Sequence, residues 1–394
     1  MTILSIFLIN QIRTGGDRDY IELLELLAER GNKVFVILNT YLDYQPKKII
    51  PIYLTIKYIK HKLPPASFLF KHAIKKYLSK ITINFNKKLP DFIHIHGDIY
   101  LKSALFLKRQ LNISLFYASR LNDISKIITL RKYKALSKIE YFLSFLFELI
   151  NRYREKQIAS HSNLICFLNP FDRDIFLSRT KRKKNNAIVI PNYIGLPRFT
   201  EGAREKNIST HVSRIVYVGS LSSNKGIQYL LRAADILKCN GYSLHYYLLG
   251  RIEDEYNTLL LIEKLGLKNI VSIEGFESPF KYFINCDLFV YPTLYDDWGN
   301  VITEALHCGC PVIASNSTGP AYILKHKDLL FDIGNPNEIA KKIMLCINDN
   351  EYYKKIRHLC SERTKFLRFD WAEQFETAMK NYLSKKEAHD FTLY

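Results

Sequence analysis

Short apolar runs that stop at a glycine or proline and lead into helix-patterned segments recur along this chain. Ile3 to Ile9, Lys33 to Leu38, Leu244 to Leu249, Val271 to Ile273, Asp287 to Pro292 and Val312 to Ser315 read as strands, and Arg214 to Gly219 as a buried one. Tyr20 to Arg30, with Leu23, Leu24, Leu26 and Leu27 on one side, and Ile227 to Leu237 read as amphipathic helices. Gly31 ends the first of them. Strands alternating with helices predict an α/β fold built on parallel sheet. Ligands of such sheets bind beyond the carboxyl ends of the strands. Lys225, Gly275, Asp296 and Gly319 each follow closely on an expected strand, so one crevice can gather them. For 394 residues, two domains are the natural count.

Residues 296–311 read Asp-Asp-Trp-Gly-Asn-Val-Ile-Thr-Glu-Ala-Leu-His-Cys-Gly-Cys-Pro. Asp296 and Glu304 are eight positions apart, which is about 12 Å if the whole stretch were helical. With a turn at Gly299 and Asn300, the first carboxylate belongs to the loop ahead of a helix. The second lies about one turn inside it. The unpaired N–H groups at Asn300 and Val301 would carry the positive end of the helix dipole, which suits a phosphate. A diphosphate cradle with a carboxylate on either side suits a sugar nucleotide: one carboxylate for the ribose hydroxyls, the other for the transferred sugar. The plainer reading is a strand–turn–helix unit in which Asp296 and Asp297 only cap the helix.

This segment resembles the signature of glycosyltransferase family 4, the GT-B class of retaining sugar transferases also called glycosyl transferases group 1. The family pattern is Glu, seven residues, Glu, then Ala and a Gly-x-Pro turn. Glu304-Ala305 and Gly309-Cys310-Pro311 match it, while Asp296 replaces the first Glu and loses one methylene of reach. In the family, the loop after Gly219 carries an Arg directly behind that glycine and a Lys before a second one, both facing the diphosphate. Lys225-Gly226 match, and Ser220 stands in the place of the Arg. A hydroxyl donates one hydrogen bond and no charge, which leaves more to Lys225 and the helix dipole. Without the resemblance, Lys-Gly at a helix start is a solvated cap.

In the first half, Gly15-Gly16 with Asp17-Arg18 resembles the family loop where acceptor and donor phosphate approach the backbone. Two glycines are otherwise only a turn. Pro90 to His96 resembles the fourth strand and Leu115 to Tyr117 the next. Arg120 stands where the family commonly places a His near the transferred sugar. Arg is no base at neutral pH, but it can hold a phosphate or a carboxylated sugar.

The resemblance implies a GT-B architecture: two Rossmann-like parallel-sheet domains facing a central cleft, with a C-terminal helix crossing back to the first. Residues 1–195 would bind the acceptor, 196–369 the nucleotide sugar, and 370–394 would form the crossover helix and tail. The linker follows Ile188 to Asn192, where Pro191, Gly195 and Pro197 suit one. Asp296, Lys225 and Glu304 would be catalytic. Gly219, Ser220, Gly275, Phe276, Gly299, Asn300 and Val301 would join them around the donor, and Gly15, Gly16, His96 and Arg120 would line the acceptor side. The implied activity is retaining hexosyl transfer, with a UDP-sugar as donor and no cofactor. The implied acceptor is a lipid-linked or cell-surface saccharide, as in lipopolysaccharide or capsule assembly. Two other readings stay open: an epimerase or hydrolase of sugar nucleotides, and a noncatalytic binding module, conceivable given Ser220, Arg120 and Asp296.

The net charge of +19 is unevenly placed: residues 1–195 hold 33 Lys and Arg against 14 Asp and Glu, and the remainder holds 24 of each. Tyr44 to Pro90 contains no acidic residue, and eleven lysines, among them Lys47, Lys48, Lys57, Lys60, Lys62 and Lys87, stand among Tyr, Phe, Ile and Leu. Such a surface suits an anionic membrane, at about 1 kcal/mol per lysine near the lipid before screening. A solvated charge reflecting composition bias is the bland alternative. No nucleic-acid-binding signature accompanies the charge, so nucleic acid is not an expected partner. Leu136 to Ile150 reads either as an interfacial helix or as a core helix, and is too short and too charged to span a bilayer.

Seven scattered cysteines without zinc spacing, and no export signal, suggest a cytoplasmic protein at the inner face of the membrane. His94 and His96 share a strand face without an evident third ligand. The Asp-Arg-Asp triplets at 17–19 and 172–174 sit at expected helix starts, where Asp caps are ordinary. No obligatory metal is expected.

Overall fold

The computed structural model describes residues 1–12, 15–56, 66–85, 88–119, 122–182, 184–192, 212–253 and 255–391. Arg120, the lysines at 57, 60, 62 and 87, and the expected linker beyond Asn192 lie outside the described residues. The chain divides into two compact units. Unit 1 comprises Met1–Asn122, Leu149–Asn192 and Asp370–Tyr394, and unit 2 comprises Asp123–Glu148 and Tyr193–Phe369. The block expected to run unbroken over 1–195 is thus interrupted by a segment that groups with unit 2.

Unit 1 holds β1 (Thr2–Phe7), β2 (Lys33–Asn39), β3 (Ile50–Leu54), β4 (Phe92–His96), β5 (Ser114–Ala118), β6 (Leu164–Phe167) and β7 (Ala187–Val189). They form one parallel sheet in the order β3-β2-β1-β4-β5-β6-β7. Every residue of β1, β4, β5 and β6 is buried, the continuous apolar character of a sheet covered on both faces.

The first helix, Gly15–Glu29, begins earlier than Tyr20, so Gly15 and Gly16 form its first turn rather than a loop. Asp17 within that turn complements the dipole. Leu23, Leu24 and Leu27 are fully buried, whereas Leu26 is only half-buried. Gly31, at φ +85°, closes the helix with its N–H donating to the Ala28 carbonyl at 3.0 Å. Buried Glu25 accepts from the backbone N–H groups of Lys47, Lys48 and Ile49 and from the Tyr44 hydroxyl, fixing the approach to β3. That strand and the helices Ala66–Lys76 and Leu78–Ile83 were not expected, because closely spaced lysines blur the apolar period there.

The last helix, Trp371–Phe391, belongs to unit 1, as expected of a crossover helix. Phe375 packs 5.7 Å from the His94 ring and 5.5 Å from Phe116, centre to centre. Arg30 reaches Asp370 and Glu376, both at 2.8 Å. Hydrogen bonds from Lys380 and Arg30 hold the Glu376 carboxyl at about 2, against an ordinary 4.5. A carboxyl depressed by folding contributes stability that is complete above its unfolded value and is lost as pH falls through the folded one. Glu376→Gln should therefore lower stability at neutral pH by about 1–3 kcal/mol. The gap in melting temperature between variant and parent should narrow as pH drops from 4.5 toward 2, which calorimetric melts in acid would show.

Unit 2 holds β8 (Arg214–Val218), β9 (His245–Leu249), β10 (Val271–Gly275), β11 (Leu288–Tyr291), β12 (Val312–Ser315) and β13 (Leu330–Phe331). This sheet is also parallel, in the order β10-β9-β8-β11-β12-β13. The first five of its strands fall where the expected strands place them, and β13 was not expected. The helix Ile227–Cys239 follows β8, and a short helix, Asn300–His307, follows β11. Leu136 to Ile150 is not a core helix: it opens the helix Lys138–His161, and nearly all its large apolar side chains are exposed.

Candidate functional site

The sheet of unit 2 winds outward from β8 through β9 to β10, then restarts beside β8 with β11. Strand order reverses between β8 and β11, and ligands of doubly wound sheets bind at such a switch point. The loops leaving the two strands, residues 219–226 and 292–299, carry most of the residues singled out in the sequence.

These loops are held together tightly. Gly226 sits at φ +73°, and a Cβ there would lie 2.0 Å from the Pro292 carbonyl oxygen. Leu294 N donates to the Asn224 carbonyl at 3.1 Å. A Cβ on Gly250, just after β9, would lie 1.9 Å from the Gly219 carbonyl oxygen, so the β8 and β9 turns also touch by backbone. The Tyr217 hydroxyl donates to the Ser220 carbonyl at 2.7 Å, and the Ser220 hydroxyl is 3.1 Å from that of Ser222.

Lys225 and Asp296 meet at 2.6 Å, Nζ to Oδ2. Tyr291, the last residue of β11, donates its hydroxyl to the same Oδ2 at 2.6 Å and accepts from Lys225 Nζ at 3.2 Å. The other carboxylate oxygen accepts from Trp298 N at 3.3 Å. Burial opposes both charges, but Asp296 and Tyr291 hold the ammonium above its usual range. Burial likewise opposes the carboxylate, yet Lys225, the Tyr291 hydroxyl and the Trp298 N–H hold it below the carboxylate range. The pair stays ionised at neutral pH. Lys225 keeps 26% and Asp296 20% of its side-chain surface exposed, enough for a ligand to touch both.

Immediately beyond, Gly299 at φ +94° turns the chain into Asn300–His307, a glycine standing at the N-cap. Asn300, Val301 and Glu304 are half-buried. Glu304 lies one turn in, on the side shared with Asn300 and Val301 by helical spacing. The loop is fastened from behind: Gly319 N donates to the Asp296 carbonyl at 2.9 Å, and the Thr318 hydroxyl donates to it at 3.1 Å. A Cβ on Gly319 would lie 2.4 Å from Trp298 N, which explains a glycine there. At the end of β10, Gly275 takes φ +74° and Phe276 stands 74% exposed, with the Arg251 guanidinium 4.9 Å from its ring centre.

In unit 1 the strand order reverses between β1 and β4. Gly15 and Gly16 start the helix after β1, and His96 ends β4, its ring stacked on Tyr20 at 4.0 Å. His96 is buried, as is His94. Both Asp-Arg-Asp triplets lie in first turns of helices, Gly15–Glu29 and Pro170–Thr180, and Asp172 N is capped by the Asn169 side chain at 2.9 Å. Among the described residues, no group of three or more His, Cys, Asp or Glu could hold a metal ion. Six of the seven cysteines are buried thiols and Cys239 is exposed.

Tyr291 and Arg251 were not singled out by sequence. Tyr291 closes an apolar strand and reads as core, and Arg251 follows Gly250 in no motif that marks it.

Residues 199–363 match the profile described as glycosyl transferases group 1. This segment belongs to that family. Within the group 1 segment lie Lys225, Asp296, Glu304 and every other candidate donor residue. The chain is 30% identical over 182 residues to the capsular polysaccharide biosynthesis glycosyltransferase CapM of Staphylococcus aureus, covering 44% of this chain and 47% of that protein. It is 28% identical over 201 residues to a Campylobacter jejuni N-acetylgalactosaminyltransferase named for a diphospho-undecaprenol substrate, covering 50% of this chain and 53% of that protein. The chain thus spans about half the length of these curated relatives. Sucrose-phosphate synthase from Thermosynechococcus elongatus superposes with a TM-score of 0.73 at 19% identity, each chain covered in full. Anabaena HepE in complex with UDP and glucose superposes at 0.69 and 18% identity, over 98% of this chain and all of that one. These likenesses show the fold, the two-sheet GT-B class.

Proposed function

We propose that the protein is a retaining glycosyltransferase that moves a hexose from a nucleotide sugar, a UDP-sugar in the first instance, to a lipid-linked or cell-surface saccharide. The observation that carries this reading is the ionised Lys225–Asp296 pair at the switch point, beside the start of the helix that bears Glu304. The group 1 match of the same segment supports it. So do the sugar-polymer relatives and the UDP complex of a protein with the same fold.

Glu304 accepts from the ribose hydroxyls. Lys225 Nζ and the N–H groups of Asn300 and Val301 face the diphosphate, with Ser220 and Gly219 along its edge, and Gly275 and Phe276 border the nucleoside. Asp296 holds Lys225 in place and fixes the donor sugar, its carboxylate oriented by the Tyr291 hydroxyl and Trp298 N–H. In transfer, the anomeric carbon–oxygen bond breaks with its electron pair passing to the diphosphate. The acceptor hydroxyl bonds to that carbon from the same face, and its proton goes to the departing phosphate oxygen. Lys225 and the helix start stabilise the charge that develops on the leaving group. Gly15, Gly16 and His96, at the switch point of the first sheet, serve the acceptor together with Arg120. The basic first half brings the enzyme to an anionic membrane surface at the cytoplasmic face, as a step in surface-polysaccharide assembly.

Purified protein given UDP-glucose or UDP-N-acetylgalactosamine and a lipid extract bearing diphospho-linked saccharides should release UDP only when the extract is present. Proton NMR of the product should show the anomeric configuration of the donor. Equal release without acceptor would favour the hydrolase reading, and inversion would contradict the mechanism.

A further inference from the structure

The helix Lys138–His161 is amphipathic the wrong way round for a soluble protein. Its inward stripe is Ser144, Asn151 and Ile158, all buried, with Glu148 and Glu155 half-buried between them, polar but for its last member. Two of these are held by ion pairs, Glu148 by Arg131 and Glu155 by Arg179. At about 100° per residue, Ile139, Phe142, Leu146, Leu149, Ile150 and Tyr153 centre half a turn away from that stripe. Ile139, Phe142, Leu149 and Tyr153 are between 65% and 76% exposed. The helix is well made despite this face: Ser137 and Glu140 form a reciprocal cap, Glu140 N donating to Ser137 Oγ at 3.3 Å and Ser137 N to Glu140 Oε2 at 2.9 Å.

An apolar face this continuous, turned away from the protein, calls for an apolar medium. Charge decides which. Exposed Lys134 and Lys138 stand at one end of the face, and exposed Arg152, Arg154 and Lys156 at the other. A second copy docked through this face would set cation against cation in either orientation. Anionic headgroups would pair with both ends while acyl chains cover the middle. Among the described residues no helix is long and apolar enough to cross a membrane, so this one would lie in the interface plane.

We infer that the helix Lys138–His161 is a bilayer-docking element, inserting its outward apolar face into the headgroup–acyl boundary of an anionic membrane. This deepens the membrane part of the reading above and does not depend on the transfer chemistry. Vesicles of phosphatidylcholine, alone or mixed with phosphatidylglycerol, test it on the full chain. The protein should co-sediment with the mixed vesicles. Phe142→Ser combined with Leu146→Ser, at exposed positions and without change of charge, should weaken that partition at least about tenfold. The doubly substituted protein should bind nucleotide as the parent does. Both native tryptophans, Trp298 and Trp371, are buried, so the indole introduced by Phe142→Trp reports on this face, and brominated lipid should quench it. Three results would overturn the inference. One is equal binding of parent and double variant, released by salt in both, which assigns docking to charge alone. Another is a parent dimer that the double variant turns into a monomer, which assigns the face to a second copy. The third is absence of vesicle binding by the parent.

Discussion

Lys225→Met should lower kcat/KM for the donor by about 10²–10³-fold, the usual cost of removing one preorganised donor from a developing oxyanion. It should also destabilise the protein, because Asp296 keeps its charge in a mostly buried place with only Tyr291 and Trp298 N to answer it. Removing one partner of a fully buried pair costs about 3–5 kcal/mol. The pair here is a fifth to a quarter exposed, so about 2–3 kcal/mol is expected after that discount. Adding Asp296→Asn removes the orphaned charge. The double variant should therefore regain much of the stability and none of the activity. Chemical denaturation with steady-state kinetics on the four proteins of this cycle separates the two roles. If activity returned with stability, Lys225 would be a structural residue and the diphosphate assignment would fail.

Gly226→Ala is the second large effect. The added methyl would sit 2.0 Å from the Pro292 carbonyl oxygen, and φ is +73°. Neither backbone can yield cheaply, because Leu294 N ties the two loops together through Asn224. The left-handed conformation alone costs about 1–2 kcal/mol, and relieving the contact must move the stretch that leads to Asp296. A total loss of about 2–4 kcal/mol is expected, with nucleotide affinity down at least tenfold. Gly241→Ala is the control. Gly241 also has positive φ, +81°, but a methyl there meets nothing within 4 Å. It should cost about 1 kcal/mol and leave nucleotide affinity unchanged. Thermal melts and calorimetric titration of the two variants make the comparison.

Strand–glycine–helix punctuation made much of unit 2 legible, since β8 is a short buried apolar run that ends at Gly219 and β9 is one that ends at Gly250. Lys225 and Asp296 could be named because the family resemblance marks them and both follow closely on strands whose carboxyl ends can share a crevice. Their direct contact could not, since the reach of two side chains depends on how closely Gly226 lets the loops approach. Tyr291 was missed for a related reason: a tyrosine ending an apolar strand gives no sign of which way its hydroxyl points. In the first half, Gly15 and Gly16 read as a loop although the helix begins at Gly15. Lysine-rich 44–90 hid one strand and two helices behind a charge pattern that serves a surface rather than a core. For Lys138–His161, composition showed an apolar run, but not that its polar stripe faces inward.

The central claim is that the loops after β8 and β11 bind a nucleoside diphosphate. Calorimetric titration of the purified chain with UDP, GDP, CMP and dTDP, alongside Glu304→Ala, tests it most directly. Saturable binding of one nucleotide, weakened at least tenfold by the substitution, is the predicted result. If no nucleotide binds at millimolar concentration, or if Glu304→Ala binds as tightly as the parent, the site has been misread.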